Sequence, residues 1–158
     1  MGEAMPDKEF FTFRESMKKE DDPLTASMED YLEMIYRLSV NSGFTRVHDL
    51  AASLNVQPPS ATKMVQKLAE YELVNYERYG IITLSQKGRE AGQKLLERHQ
   101  VVEDFLRLLG IENDLLQETE KIEHTLSEDT LSRLRDFVAF WKLKPGLINK
   151  FKLFRTRK

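Results

Sequence analysis

The chain contains no cysteine, which excludes disulfides, thiolate metal sites and cysteine nucleophiles together. No stretch approaches the roughly 18 apolar residues of a membrane span, and the first residues, with Asp7, Glu9 and Glu15, lack the basic-then-apolar plan of a signal peptide. A cytoplasmic location is therefore the expectation. Internal repeats and low-complexity tracts are missing as well. What remains is an ordinary globular composition, 41% hydrophobic and 32% charged over 158 residues, enough for one good core or two small ones.

The formal net charge is only -2, yet the charges are unevenly placed, and binding responds to local patches rather than totals. Residues 112–129 hold seven acids against the single base Lys121, whereas residues 142–158 hold seven bases and no acid. The first block suits a cation and the second an anion.

Along the chain, residues 1–23 are polar and read as an N-terminal extension, with a short helix expected only around Phe10, Phe11 and Phe13. Regular structure is expected from Ser27, a helix N-cap, with Tyr31, Ile35 and Leu38 at helical spacing up to about Asn41-Ser42-Gly43. The opposite face of this helix carries Asp30, Glu33 and Arg37, a pattern that also suits a solvated edge with an i,i+4 ion pair. Val47, Leu50, Ala51 and Leu54 mark a short second helix, Asn55-Val56-Gln57 a turn, and Pro58-Pro59-Ser60 the start of a third helix with Ala61, Met64, Val65 and Leu68 inside. Two short helices joined by a tight turn predict helix-turn-helix. Residues 73–77 and 81–84 then form a two-stranded hairpin about Arg78-Tyr79-Gly80. The whole is a winged helix.

Ser85 caps a long helix from Gln86 to about Leu109, ended by Gly110, with His99 on the same apolar stripe as Leu95, Val102 and Leu106. A further helix is expected from Asn113 to Leu126, and another after Ser127 carrying Leu131, Leu134, Phe137, Val138 and Trp141. So much apolar surface on short helices implies a partner surface, most simply a homodimer. The tail after Lys144-Pro145-Gly146 alternates bases with apolar residues and suits either a short amphipathic helix or a disordered basic arm. The fold class is thus mainly α with a small β-hairpin wing. Residues 24–85 are expected to form a winged-helix domain, 86–143 an all-helical dimerisation domain, and 144–158 a basic C-terminal tail.

Two features carry chemistry. In Glu120-Lys-Ile-Glu123-His124 the two carboxylates and the imidazole share one helical face, an arrangement that invites a divalent metal although solvated helix faces look similar. On the third helix, Thr62, Lys63, Gln66 and Lys67 face outward, small polar and basic side chains suited to base edges and phosphates.

Four motifs in order, Met28-Glu-Asp30-Tyr-Leu-Glu33-Met-Ile-Tyr36, Pro59-Ser60-Ala-Thr62-Lys63-Met-Val-Gln66-Lys67-Leu68, Arg98-His99 and Glu120-Lys-Ile-Glu123-His124, resemble the diphtheria-toxin-repressor family of metal-dependent transcriptional regulators. Within it the chain is similar to the manganese branch, the MntR-type regulators, over roughly residues 25–141. The resemblance implies a dinuclear metal site on Asp30, Glu33, His99, Glu120, Glu123 and His124, with two Mn²⁺ per subunit. Iron-sensing relatives carry methionine and cysteine at the positions of Asp30 and Glu120. Hard oxygen in place of soft sulfur suits Mn²⁺. Such relatives often carry a third, SH3-like domain, for which this chain ends too soon.

The site chemistry agrees, since four carboxylates and two neutral imidazoles sum to a charge that two divalent cations cancel. The implied function is a Mn²⁺-dependent DNA-binding repressor of manganese homeostasis genes such as uptake transporters, and not an enzyme. Metal binding would fix the two recognition helices of a homodimer for operator half-sites spaced by about one turn of double-stranded DNA, roughly 34 Å, or a multiple. Gln57, Pro59, Ser60, Thr62, Lys63 and Gln66 are the candidates for DNA contact, and Lys67 and Arg78 for phosphate. No membrane and no small organic substrate is expected as a partner. Two alternatives differ in kind. A dinuclear carboxylate enzyme on a helix bundle uses a similar ligand list but favours Glu-x-x-His spacing and has no use for a winged helix. A winged-helix regulator with a non-metal effector would leave the carboxylates incidental.

Overall fold

A computed structural model describes residues 24–157. The expected extension over 1–23, with its helix around Phe10, Phe11 and Phe13, lies outside the described residues, as does Lys158.

The first helix, α1 (Ala26–Ser39), starts two residues earlier than the sequence suggested, because Thr25 and not Ser27 is the cap: its Oγ1 accepts the Met28 N–H at 3.3 Å. Met28, Leu32 and Ile35 form its buried stripe and meet Leu50 of α2 (Val47–Ser53), Leu68 of α3 (Pro58–Glu70) and Ile82 of the sheet, all at most 1% exposed. Each such side chain contributes about 1.5–3 kcal/mol through burial. Between α2 and α3, Asn55 takes the left-handed conformation with φ 53° and makes the tight turn.

The wing has three strands rather than two. β1 (Thr45–Arg46), β2 (Val74–Tyr76) and β3 (Ile81–Leu84) form an antiparallel sheet in the order β1-β3-β2, with Thr45 opposite Ile82 and Val74 opposite Leu84. A two-residue strand shows no alternation from which a sequence could betray it. At the tip, Arg78–Gly80 form a 3₁₀ turn in which Tyr79 and Gly80 have φ of 64° and 72°.

The long helix α4 (Gln86–Leu108) begins where Ser85 Oγ accepts the Gly88 N–H at 2.9 Å, and ends before Gly110, whose φ is +85°. Two glycines set how closely it lies on the first domain: a Cβ on Gly88 would come 1.8 Å from the Leu73 carbonyl oxygen, and one on Gly92 would come 2.7 Å from Tyr36 Cβ on α1. Leu95 joins the winged-helix core, while Val102 and Leu106, one and two turns beyond His99, are buried further along.

The next helix, α5 (Leu115–Glu123), is shorter than the expected Asn113 to Leu126. Asp114 is left-handed at φ 56°, so the helix cannot start before it, and the Thr125 N–H and hydroxyl both turn back to the Ile122 carbonyl at 3.0 and 2.7 Å. Ser127 caps α6 (Glu128–Lys142) by accepting the Thr130 N–H at 3.2 Å. Of the two states open to the tail, the helix is found, as α7 (Pro145–Thr156). Edge-on ring contacts from Phe105 to Phe137 at 5.8 Å and from Trp141 to Phe151 at 6.1 Å join α4, α6 and α7.

Candidate metal centre and nucleic-acid interface

Three helices converge on one polar centre at the junction of the two halves. α1 brings Glu29, Asp30 and Glu33, α4 brings Arg98 and His99, and α5 brings Glu120, Glu123 and His124. Their one-face spacing on each helix follows from 3.6 residues per turn, and the Gly92 approach brings α1 and α4 close enough to share the site.

The six expected ligands fall into two groups of three, Asp30 with Glu120 and His124, and Glu33 with His99 and Glu123. Within each group, one donor atom per residue lies within 4.8 Å of the others. The second group is fully buried and the first half-buried. His124 Nε2 lies 2.8 Å from Asp30 Oδ1 and 3.7 Å from Glu120 Oε2. His99 Nδ1 lies 3.0 Å from Glu123 Oε1, 3.7 Å from Glu120 Oε1 and 3.9 Å from Glu33 Oε1. Glu120 therefore turns one carboxylate oxygen to each group.

Around these six stand residues to which the sequence motifs assign no ligand role. Glu29, 6% exposed, lies with Oε2 2.5 Å from His124 Nδ1 and receives both terminal nitrogens of Arg98, at 2.6 and 3.3 Å. Arg98 Nη2 also comes within 3.0 Å of His124 Nδ1. Two donors cannot share a bond, so with His124 protonated Nδ1–H donates to Glu29 and Arg98 is a close neighbour to that bond. Glu103, one turn on from His99, places Oε2 3.5 Å from its Nε2. A signal for Glu29 existed: it is one turn from Glu33 and interrupts the apolar positions Met28, Tyr31 and Leu32.

The electrostatics are those of a site that wants positive charge. His124 is pushed up to about 11 by the carboxylates of Asp30, Glu120 and Glu29 that surround its ring. His99 is raised by its hydrogen bond to Glu123, against the opposing effect of burial. Burial raises the Glu33 carboxyl despite the neighbouring Arg37. Glu120 is held low by His124, and burial of Glu29 is outweighed by its bonds from His124 and Arg98.

Do these residues fit a metal? Two of their buried atoms, Glu123 Oε2 and His124 Nε2, have no hydrogen-bond partner among the described residues. The 2.8 Å approach of His124 Nε2 to Asp30 is thus a charge contact without hydrogen-bond alignment. Leaving buried polar atoms unpaired costs about 1–3 kcal/mol each. A divalent cation between the carboxylates and the imidazole lone pairs would satisfy both, and a set of carboxylate oxygens with imidazole nitrogens is suited to Mn²⁺. The donors present fit such an ion.

In the first domain, Gln57, Pro59, Ser60, Lys63, Gln66 and Lys67 are exposed along α3 and the turn before it, and Arg78 is exposed at the wing. Thr62 differs, being half-buried with its hydroxyl donating to the Pro58 carbonyl at 3.0 Å. Tyr79, at the wing apex, is 88% exposed.

Comparison with known proteins agrees in kind. Residues 23–82 match the family model described as iron dependent repressor, N-terminal DNA binding domain, and residues 85–147 match iron dependent repressor, metal binding and dimerisation domain. The chain is 40% identical to an HTH-type transcriptional regulator MntR of Lysinibacillus sphaericus over 84% of this chain and 96% of that one. It is 46% identical to the regulator of the same name from Geobacillus kaustophilus over 75% of this chain and 84% of the relative. Among solved structures it resembles the manganese regulator SloR, with TM-score 0.64 and 31% identity over 74% of this chain and 55% of that one. It also resembles a manganese-dependent transcriptional repressor in complex with manganese, with TM-score 0.60 and 29% identity over 72% of this chain and 53% of the other. The chain thus spans nearly all of its sequence relatives and about half of these two structures. The polar junction of α1, α4 and α5, the winged helix beside it and the two matched models place this chain in the iron-dependent repressor family of transcriptional regulators.

Proposed function

We propose that the chain is a manganese-responsive repressor that binds double-stranded operator DNA as a homodimer, with its two ligand groups holding two Mn²⁺ per subunit. The observation that carries this reading is that Asp30 and Glu33 of the winged helix meet His99, Glu120, Glu123 and His124 of the helical half at one centre. The names of relatives that regulate in response to manganese support the choice of metal. Residues 24–85 serve as the DNA-binding unit and 86–143 as the metal-binding and dimerisation unit.

When bound, the cations supply the positive charge that lets carboxylates from three helices face one another. The protein's part is orientation. Glu29 holds the Nδ1 side of His124 and leaves Nε2 turned to Asp30 and Glu120, as an outer partner of a ligating histidine does. Glu120 faces both groups and couples their occupancy. With α1 anchored to α4 and α5, the winged helix has one orientation on the helical half, and α3 presents Lys63, Gln66 and Lys67 at a fixed spacing from their copies in the dimer.

The test is fluorescence anisotropy of a labelled operator from a manganese-uptake promoter, at fixed salt, with Mn²⁺ and then with EDTA. Binding is expected to tighten by about 5- to 150-fold with Mn²⁺, the range of a typical coupling between sites. Equal affinity in EDTA would overturn the metal switch.

A further inference from the structure

Among the candidate ligands, Glu33 is held in a way the others are not. Its Oε1 accepts a hydrogen bond from the Arg37 guanidinium, one turn along α1, in a close ion pair. The Glu33 residue is buried at 7% exposure, whereas the Arg37 side chain is 37% exposed and reaches in from solvent. Arg37 lines the opening that leads to Asp30, Glu33, His99 and Glu120. In the metal-free centre it adds positive charge at Glu33, while Glu123 has His99 and Arg98 beside it at 3.0 and 4.0 Å.

We propose that Arg37 is a built-in competitor for the buried Glu33–His99–Glu123 group, raising the Mn²⁺ concentration at which that group fills. This rests on the manganese reading above. A divalent cation beside Glu33 meets the guanidinium charge across the carboxylate, so Arg37 must swing out to solvent or stay as a repelling neighbour. Either course weakens binding at this group. The other arginine of the centre, Arg98, is bonded to Glu29, which is not among the candidate ligands, and its Nε lies 4.0 Å from Glu123 Oε2. Arg37 therefore acts on one group and not on both. It is a positioning residue that works through Glu33.

The experiment is titration of Mn²⁺ into the full chain, with free ion read by electron paramagnetic resonance, for wild type, Arg37→Gln and Arg37→Lys. One of two binding steps is expected to tighten about tenfold in Arg37→Gln, the effect of removing one like-charge neighbour. The other step stays as in wild type, Arg37→Lys restores the wild-type value, and His99→Ala in the Arg37→Gln background removes the tightened step. The Mn²⁺-induced rise in Tm should also be larger in Arg37→Gln. Because the expected change is a gain, misfolding cannot imitate it. Unchanged or weaker binding at both steps would overturn the inference, weakening being the signature of an Arg37 that orients Glu33 for the metal. A wild-type chain that takes fewer than two ions would overturn the two-ion reading and this inference with it, whereas two ions with unchanged affinities would overturn the inference alone.

Discussion

His124 shows at a single residue how the centre is tuned. Its imidazole sits against Glu29, Asp30 and Glu120, and in the metal-free fold it holds its proton up to about 11 instead of the ordinary 6.5. A raised histidine stabilises the fold fully below pH 6.5, and that contribution is lost as pH rises through the window to about 11. In the proposed site ligation would take the Nε2 lone pair, so Mn²⁺ would displace this proton, and affinity should climb with pH across the same window. Calorimetric titrations near neutral pH in buffers of different ionisation enthalpy should show protons released on Mn²⁺ binding; none released would contradict this account of His124. The six candidate ligands were legible because each lies at helical spacing from another or in a recognisable motif. Glu29 stood out only as an acid among apolar positions; its task, to hold His124, lies 95 positions away, and no local pattern announces that contact.

At the scale of elements, the junction depends on how closely α4 lies on what it crosses. Gly88 and Gly92 sit within a helix, where alanine is favoured over glycine by about 1 kcal/mol, so a packing reason must offset that preference. At Gly92 the reason is Tyr36, 2.7 Å from where a Cβ would stand. Gly92→Ala is expected to push α1 off α4 and lower stability in EDTA by about 1–3 kcal/mol, read from urea unfolding. A stability gain of the size that helix propensity alone predicts would show that the approach is not tight. Most elements were legible from apolar spacing, caps and glycine stops: Ser85 and Ser127 cap α4 and α6 as read. The misses have local causes. Thr25 and Ser27 are both good caps two residues apart, β1 is too short to show a period, and the left-handed backbone at Asp114 shortens α5.

For the whole molecule, the centre joins a DNA-binding half to a half whose outer face is apolar. Phe140 of α6 and Leu143 beyond it are 53% and 78% exposed, in the region matching a metal binding and dimerisation domain. The sequence made this surplus of apolar surface plain by amount alone, although it did not decide between a helix and an arm for the tail. Exposed Lys63 and Lys67 on α3 and exposed Arg78 on the wing lie on the half that Asp30 and Glu33 tie to the centre.

The central claim is that the centre gates DNA binding, and Glu120, which faces both ligand groups, tests it most directly. The measurement is operator anisotropy for wild type and Glu120→Ala side by side, each in Mn²⁺ and in EDTA at the same salt. The account predicts that the two proteins bind alike in EDTA, and that only wild type gains about tenfold or more on adding Mn²⁺. A Glu120→Ala protein that keeps the full Mn²⁺ gain would contradict it.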